Sequence, residues 1–540
     1  MYAVIRIRIA LGAQRLVRSV RRLPSGPVPS VPAPDPRHPY AHAQAHRRAG
    51  GLCGWPSSIR IRSTSSAAVP LQVECVDVDT DGLCGICIDE STTRRRAIFV
   101  PGALPGAIVR VVIEEEGVED GGGSKRRKKS KGLTYGRIVD VVKEHDGKVD
   151  AVCPHFGSCG GCSLQEVAYA QQREIKARRV RNAFERIAGL AAGHPALAGL
   201  RITGSPEPYR YRNRVEFSVV GSSGNVVVGK HRRGSKEVVA VGGCALQRSA
   251  ADACYASVVE SIDRGGLSGG VVVEYVSIRE SVYSGEILVN VATRERADVD
   301  LVGLAEHVRY RHPALRGVVN SVLEQGSPVE LRRVREEHVV WGAGDLVERL
   351  GDVTYRVSAN AFFQVNTALT ELLYWHVVDA CRLRPSDVVL DLYCGSGTIA
   401  LFLAQHSAVP PARILGIEVV EGSIADARYN AEANGVTCAT FVRGDVGDVR
   451  KIAEAHGVAG PDVIVVDPAR AGLSTRALDG VVSLGPRRLV YVSCDVSTQA
   501  RDVKRVLESG MYRVEDVAAF DMYPQTTHVE SVCTMTRIEE

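Results

Sequence analysis

The C-terminal third of the chain repeats one pattern, a short apolar run that ends at a polar residue. The first run leads through residues 388–400 (VVLDLYCGSGTIA), where a Gly-X-Gly turn precedes an apolar segment compatible with a helix. Such runs predict buried strands, and polar residues at the carboxyl ends of successive parallel strands line one crevice. We therefore predict an α/β domain whose binding and reaction site includes three later strand ends, at Glu418, Asp467 and Cys494.

The glycine turn predicts a nucleotide-like ligand. Gly395 and Gly397 have no Cβ, so the backbone can turn tightly and approach a ligand, although a plain strand-to-helix turn would have the same pattern. Glu418 follows about twenty residues later, where a carboxylate can accept hydrogen bonds from ribose hydroxyls. NAD would also fit, but the DPAR segment at 467–470 and the cysteine have no role in a dehydrogenase.

Two residues are candidates for catalysis, one as a nucleophile and one as a general base. Cys494 closes an apolar strand, the position of an exposed nucleophile, although a buried core thiol is the alternative. A reactive thiolate there needs an electropositive or hydrogen-bonding pocket. Glu530 lies near the C-terminus and could be a general base if the chain folds back over the crevice; otherwise it is a surface glutamate.

Upstream, residues 71–142 consist of short β-like runs with Gly and Pro punctuation, which predict a small barrel. Cys84 and Cys87 form a CxxC within a strand pattern and are interpreted as core residues. The basic run at 125–131 (KRRKKSK) is either a solvated loop or an RNA contact.

A cluster of cysteines follows in CPHFGSCGGC, with Cys153-x5-Cys159-x2-Cys162 spacing. Three thiols so closely spaced can surround one metal centre, and Cys244 is the best candidate for a fourth ligand. Spacing alone leaves zinc and an iron–sulfur cluster open. Because these cysteines are far in sequence from the reaction crevice, we expect their substitution to act on stability and RNA binding.

The central part of the chain offers further RNA contacts. Residues 171–187 read as a basic amphipathic helix. In PYRYRNRVEF, arginines alternate with Tyr209 and Tyr211, a pattern that suits phosphate contact and base stacking, although a salt-bridged sheet face is equally compatible. Further on, AFFQVN places Gln364 and Asn366 after two aromatics; a helix cap explains the asparagine, and nothing local explains the glutamine.

Composition limits the remaining possibilities. The net charge of the 540 residues is only +5, so any nucleic-acid contact must be local, and no apolar run approaches the ~18 residues of a membrane span. Residues up to 73 contain eleven arginines, no lysine and one acid, which is typical of an organellar transit peptide, with a disordered basic tail as the alternative. We predict a chloroplast or mitochondrial protein.

Taken together, AFFQVN, DLYCGSGT, DPAR, VYVSCD and HVE resemble the RNA (uracil-5-)methyltransferase family. With the cysteine segment and PYRYRNRVEF, the resemblance covers residues 71–540 and is closest to the iron–sulfur branch that has an OB-like TRAM barrel and modifies ribosomal RNA. It implies Cys494 as nucleophile, Glu530 as base and a [4Fe–4S] cluster on the four cysteines. It also implies S-adenosylmethionine near Gln364, Tyr393, Thr398, Glu418 and Asp467.

The resemblance implies a monomer that methylates a uridine of ribosomal or transfer RNA. The rival hypothesis is a non-catalytic RNA-binding factor on the same fold. We expect a transit peptide or disordered segment (1–68), an OB-like TRAM barrel (69–143), an iron–sulfur segment with a helix (144–200), a central α+β RNA-binding domain (201–355) and a Rossmann-like methyltransferase domain (356–540). The basic insertion and the long N-terminus depart from the family pattern.

Overall fold

The computed structural model describes residues 70–538, apart from gaps at 79–83, 90–95, 115–133, 223–224, 264–271, 300 and 326–332. The predicted transit peptide and the basic run at 125–131 therefore lie outside the described residues. Within the described residues, no helix has the length and apolar character needed to cross a membrane.

The chain begins with a closed five-stranded barrel in the order β1-β2-β3-β5-β4, which confirms the predicted barrel. Alternate residues of each strand point inward, so apolar side chains such as Ile98 and Val111 fill the centre. Cys75 of β1 lies opposite Cys87 of β2, and both are buried, whereas Cys84 is only partly buried. The strands are β1 (Leu71–Val78), β2 (Cys84–Asp89), β3 (Arg96–Pro101), β4 (Ile108–Glu114) and β5 (Thr134–Lys143).

The cysteine segment leads from the barrel into helix α1 (Tyr169–Arg186), close to the predicted bounds. A 3-10 turn (Pro195–Leu197) and strand β6 (Ile202–Thr203) follow. Strand β6 pairs in parallel with a strand of the C-terminal sheet, and α1 packs Val180 and Phe184 into the core beneath that sheet. The C-terminal domain therefore includes structure from before residue 204.

The central domain is a seven-stranded sheet in the order β13-β12-β11-β10-β7-β8-β9, with a separate β14–β15 hairpin. Helices α2 (Ser249–Asp263) and α3 (Val302–Arg311) pack on it through a shared apolar core. The strands are β7 (Arg214–Ser222), β8 (Asn225–His231), β9 (Val238–Ala240), β10 (Val273–Glu280), β11 (Ile287–Thr293), β12 (Leu315–Leu323), β13 (Val334–Gly342), β14 (Asp345–Leu350) and β15 (Val353–Ser358).

The C-terminal domain is a Rossmann-like eight-stranded sheet in the order β18-β17-β16-β19-β20-β22-β21-β6. Strands β16 to β20 are parallel, and β22 is antiparallel to both its neighbours. The helices are α4 (Thr367–Cys381), α5 (Thr398–His406), α6 (Glu421–Ala433), α7 (Val449–Ala455), α8 (Thr475–Leu484) and α9 (Val496–Glu508), with a 3-10 turn at Val446–Asp448. The strands are β16 (Val388–Leu392), β17 (Arg413–Glu418), β18 (Ala439–Arg443), β19 (Val463–Val466), β20 (Arg488–Ser493), β21 (Tyr512–Phe520) and β22 (Glu530–Arg537).

Two apolar clusters, one on each face of this sheet, hold its helices in place. Strand β19, with the sequence VIVV, has four buried residues, as expected for a strand covered on both faces. Because both faces are covered, polar groups reach solvent at the strand ends. This confirms the predicted mixed α/β architecture with an N-terminal barrel, a central sheet and a Rossmann-like C-terminal domain.

Candidate active site and thiol cavity

The strand ends that sequence analysis singled out meet at one edge of the C-terminal sheet. Strands β17, β16, β19 and β20 are parallel neighbours in that order. Their final residues therefore lie side by side, which brings together the glycine turn and the three polar residues that follow the other strands, Glu418, Asp467 and Cys494.

The turn after β16 has the left-handed backbone that its glycines permit. Tyr393, Gly395 and Gly397 have φ values of +63°, +52° and +78°. A Cβ on Gly397 would lie 2.8 Å from the Phe441 ring, so a larger residue would collide there. Gly395 instead faces open space, with no heavy atom within 4 Å of an added Cβ, and leaves the backbone approachable by a ligand.

Glu418 is held towards this turn by backbone donors. One carboxylate oxygen accepts from Gly395 N at 3.3 Å, and the other accepts from Val419 N and Val420 N at 2.8 and 2.9 Å. Such bonds fix the orientation of the carboxylate, while Oε2, which accepts one bond, keeps capacity to accept a further hydrogen bond.

Thr398 begins helix α5, and two tyrosines anchor it. Its hydroxyl lies 2.8 Å from the Tyr374 hydroxyl, and its carbonyl oxygen accepts from the Tyr355 hydroxyl at 3.1 Å. Sequence analysis missed Tyr374, because an aromatic residue in an amphipathic helix resembles any core residue.

Asp391 is a second residue that sequence analysis did not assign to the site. One carboxylate oxygen accepts from Ala400 N at 3.1 Å, whereas the other has no hydrogen-bond partner among the described residues. Burial, with Asp467 and Glu418 adding to it, raises the pKa of Asp391 to about 8. An aspartate within an apolar run was the available signal, since a buried carboxyl needs a reason.

The AFFQVN segment joins the β14–β15 hairpin to α4. Its two polar residues, Gln364 and Asn366, have different roles. Asn366 is the N-cap of α4 and accepts from Leu369 N at 3.4 Å, which confirms the predicted cap. Gln364 is 4% exposed, and its side-chain oxygen has no partner among the described residues. Asn213 holds the Gln364 backbone by donating to its carbonyl oxygen at 2.8 Å. Gln364 therefore has an acceptor available for a ligand.

Cys494 and Glu530 face each other across two antiparallel strands. Ser493 of β20 pairs with Ser531 of β22, and continuing that register by one residue sets Cys494 opposite Glu530. Glu530 is 1% exposed, and neither of its carboxylate oxygens has a hydrogen-bond partner in the described part of the chain. A buried, unpartnered carboxyl is costly for folding, which favours a functional reason for it.

The surroundings of Cys494 are not the electropositive pocket that a preformed thiolate would need. Burial, with Glu530 and Asp467 adding to it and Arg470 opposing it, raises the pKa of Cys494 to about 12. Burial followed by the charge of Asp467 also raises the pKa of Glu530 well above its usual range. Burial raises the pKa of Asp467 to about 7.

Arg470, whose charge lowers the pKa of Cys494, is itself oriented by His528. Its guanidinium Nη2 lies 2.6 Å from His528 Nδ1. Burial and Arg470 together lower the pKa of His528 to about 4, so the imidazole is neutral and accepts this hydrogen bond. Asp495, a possible alternative base, caps α9 and accepts from Ser497 N and Thr498 N at 3.0 Å.

A second candidate site, the thiol cavity, lies between the cysteine segment and the central domain. All four predicted ligands line it: Cys153, Cys159, Cys162 and Cys244. Burial, with Cys244 and Cys159 adding to it, raises the pKa of Cys162 to about 12. Gly161 N donates to Cys159 Sγ at 3.4 Å, and Gly160 has no room for a Cβ beside the His231 carbonyl oxygen. Within the described residues, no group of three or more His, Cys, Asp or Glu is arranged to hold a single metal ion.

Two basic side chains, Arg212 and Lys230, also line the thiol cavity. Four thiolates carry more negative charge than a bound metal centre neutralises fully, so adjacent cations fit such a centre. Arg212 was predicted as a possible phosphate contact, but it faces this cavity. Tyr211 is 5% exposed and donates to Pro524 O at 3.1 Å, so the interpretation as a base-stacking residue is wrong.

Comparisons with known proteins agree with this geometry. Residues 331–538 match the family model for tRNA (uracil-5-)-methyltransferase. The chain is 34% identical over 446 residues to an uncharacterized RNA methyltransferase of Halalkalibacterium halodurans, covering 81% of this chain and 92% of that protein. A similar RNA methyltransferase of Chlorobaculum tepidum is 33% identical over 433 residues, covering 75% and 86%.

The fold is that of a solved structure, Pyrococcus abyssi tRNA (uracil-54, C5)-methyltransferase in complex with S-adenosyl-L-homocysteine. The TM-score is 0.62 at 24% identity, and the match covers 86% of this chain and all of that one. With the strand-end crevice and the relatives at over 30% identity, the chain belongs to the RNA (uracil-5-)methyltransferase family and is an S-adenosylmethionine-dependent enzyme.

Proposed function

We propose that this enzyme methylates C5 of a uridine in ribosomal RNA through a covalent adduct between Cys494 and C6 of uracil. The observation that carries the proposal is the placement of Cys494 opposite a buried Glu530 with two unpartnered carboxylate oxygens. A nucleophile and a base that face each other at strand ends can act in turn on one substrate ring.

The first step makes C5 nucleophilic. Carbon 5 of uracil is too weak a nucleophile to take a methyl group from a sulfonium. Attack of the Cys494 thiolate on C6 forms a C–S bond and moves the electron pair of the C5–C6 double bond onto the ring as an enolate. Arg470 favours the thiolate, since it lowers the pKa of Cys494.

The second and third steps complete the substitution. Carbon 5 takes the methyl group, and S-adenosylmethionine becomes S-adenosylhomocysteine. Glu530 then removes the C5 proton, the ring double bond re-forms and the C6–S bond breaks, which releases the thiolate. A carboxylate whose pKa is raised by burial is a stronger base than an exposed one, which suits removal of a proton from carbon.

The methyl donor occupies the crevice beside the glycine turn. Glu418 accepts hydrogen bonds from the ribose hydroxyls, and the open face of the turn at Gly395 lets the ligand approach the backbone. Further contacts come from Gln364, Tyr393, Thr398 and Asp467. Their support here is the free acceptor of Gln364, the strand-end positions of Tyr393 and Asp467, and the position of Thr398 at the start of α5. Because the thiol is recessed in this edge, the target uridine must leave its base stack.

We propose that the thiol cavity holds an iron–sulfur cluster, with Cys153, Cys159, Cys162 and Cys244 as its ligands. The support is that the four thiols and two cations line one cavity. A bound cluster would tie the cysteine segment to the central domain. The N-terminal barrel is then the TRAM-like RNA-binding barrel of that branch of the family.

The test is transfer of labelled methyl groups from S-adenosylmethionine to ribosomal RNA taken from cells that lack the protein. Mass-spectrometric mapping should find one 5-methyluridine that appears only with the active enzyme. Label in transfer RNA alone would overturn the ribosomal assignment. Absence of label in any RNA would favour the non-catalytic RNA-binding factor.

An organellar address in residues 1–68 remains a separate proposal, and its support is the arginine-rich, acid-poor composition alone. The relatives compared are bacterial. A fluorescent fusion to residues 1–68 should enter plastids or mitochondria, and a diffuse signal would contradict the proposal.

A further inference from the structure

Glu530, the proposed base, follows a segment that residues 356–540 do not hold by themselves. Residues 521–529 connect β21 to β22 and lead directly into Glu530. Gln525 lies at the middle of this connection, is 2% exposed and has a left-handed backbone with φ of +69°. A non-glycine residue in this conformation persists only where surrounding contacts hold it.

Those contacts come from the cysteine segment and α1. The carbonyl oxygen of Gln525 accepts from Ser163 N at 2.9 Å and from Leu164 N at 3.0 Å, and Ser163 directly follows Cys162. The side chain of Gln172, on α1, closes the arrangement. Its oxygen accepts from Gln525 N, and its amide nitrogen donates to the Gln525 side-chain oxygen, both at 2.9 Å.

The neighbouring carbonyl oxygens of the connection are held in the same way. Tyr523 O accepts from Lys176 Nζ at 3.0 Å, and Thr527 O accepts from Arg179. Lys176 also forms a fully buried ion pair with Asp521, at 2.5 Å. With the bond from Tyr211 to Pro524, four carbonyl oxygens of this short connection accept hydrogen bonds from residues of the N-terminal half, those of Tyr523, Pro524, Gln525 and Thr527.

We propose that Gln172 and Gln525 form a clamp through which the cysteine segment positions Glu530. Both are positioning residues, since neither faces the reacting atoms. The inference rests on the proposed role of Glu530 as the base. It assigns the cysteine segment a part in proton removal, and so goes beyond a role in stability or RNA binding.

The clamp predicts a selective defect. Gln172→Ala removes both bonds of the pair, whereas Gln525→Gly removes only the bond to the Gln525 side-chain oxygen and keeps a residue that suits positive φ. A small displacement of a catalytic group can lower kcat by roughly 10- to 100-fold. The kcat/KM for S-adenosylmethionine should stay within about threefold, because the slowed step follows methyl transfer and lowers KM together with kcat.

The decisive readout is the covalent intermediate. Ribosomal RNA from cells lacking the protein is incubated with methyl-labelled S-adenosylmethionine, and denaturation-resistant RNA–protein adduct is quantified. Both clamp variants should accumulate labelled adduct, because Cys494 attack and methyl transfer still occur while proton removal is slow. Asn182→Ala is the matched control, since Asn182 lies on the same helix but bonds to Asp77 of the barrel.

Normal kcat in both clamp variants would overturn the proposal, as would a loss of kcat without adduct. Should Gln172→Ala fail to fold, Gln525→Gly decides, because it leaves α1 unchanged. The Glu530→Gln variant distinguishes failure of the clamp hypothesis from failure of the proposed function. If that variant accumulates adduct and the clamp variants do not, only the clamp is wrong. If Glu530→Gln accumulates none, the proposed function is wrong.

Discussion

Glu530 lies opposite Cys494 at the point where β20 and β22 end their antiparallel pairing. The negative charge of Glu530 raises the pKa of Cys494, whereas burial and then Asp467 raise the pKa of Glu530 itself. The order in which they act can therefore be separated by substituting each one.

Cys494→Ala should abolish both methylation and any covalent RNA–protein species, because the first bond cannot form. Glu530→Gln should still attack uracil and accept the methyl group, but then stall with the C5 proton in place. Gel analysis under denaturing conditions with methyl-labelled S-adenosylmethionine measures this. Normal turnover by Glu530→Gln, or an adduct in Cys494→Ala, would show that the roles are misassigned.

The thiol of the free enzyme should be protonated at neutral pH. With a pKa of about 12, the alkylation rate of Cys494 should rise about tenfold per pH unit between pH 7 and 10, since only the thiolate reacts. Where the pH is high enough to ionise Glu530, Glu530→Gln should speed alkylation by removing a negative neighbour, and Arg470→Gln should slow alkylation. Peptide mass spectrometry follows Cys494, with the half-buried Cys438 as an internal reference. Rapid alkylation at pH 7 would mean that the thiolate is already formed.

Substitution of the two glycines of the turn should have different effects, one mainly on stability and the other mainly on ligand binding. Gly397→Ala should destabilise the domain, because its Cβ would lie 2.8 Å from the Phe441 ring, and Phe441→Leu should partly restore the melting temperature. Gly395→Ala meets open space, so its stability should fall only by the ~1 kcal/mol of a strained backbone, while binding of S-adenosylmethionine weakens. Calorimetric titration and thermal melting separate these effects. Equal stability losses in both would contradict this account.

Iron content tests the thiol cavity. The purified protein should be brown and contain iron and sulfide, and Cys153→Ser should lose both. Cys254→Ser, which changes a buried thiol of α2 outside the cavity, should keep them. Through the clamp, Cys153→Ser should also lower kcat, contrary to the expectation from sequence distance. Stoichiometric zinc without iron or sulfide would rule out the cluster.

Glu348 offers a test of pH-dependent stability away from the reaction site. Burial raises its pKa from 4.5 to about 7. Because the folded-state pKa is the higher one, Glu348 contributes stability below pH 4.5 that is lost as the pH rises through 7. The full effect is at most ~3 kcal/mol. Glu348→Gln should therefore melt at a higher temperature relative to wild type at pH 8 than at pH 5, and a constant difference would contradict the shift.

The fold was largely predictable because its signals are local. Runs such as VIVVD and LVYVSC are typical of buried parallel strands, and their last residues must share one edge of the sheet. Cys494, Glu418 and Asp467 could be placed for that reason. Asn366 was likewise predictable, since capping involves only the next few residues.

The remaining relationships depend on contacts between distant parts of the chain. Gln172 and Gln525 are 353 residues apart, and neither has a local pattern that indicates the pairing. Arg212 belongs to a basic, aromatic-rich segment typical of RNA contact, yet it lines the thiol cavity. Short sequence patterns report residue type and periodicity, whereas the direction of a side chain depends on the whole fold.

Strand β6 and helix α1 also determine how this enzyme can be divided. Residues 331–538, the stretch that matches the family model, would by themselves leave β21 as an open sheet edge and expose the apolar surface that Val180 and Phe184 cover. Open edges and uncovered apolar faces promote association between chains. The catalytic half therefore cannot be transferred by itself. Gene fusions, circular permutations and domain grafts must include residues 169–203 to yield a monodisperse product.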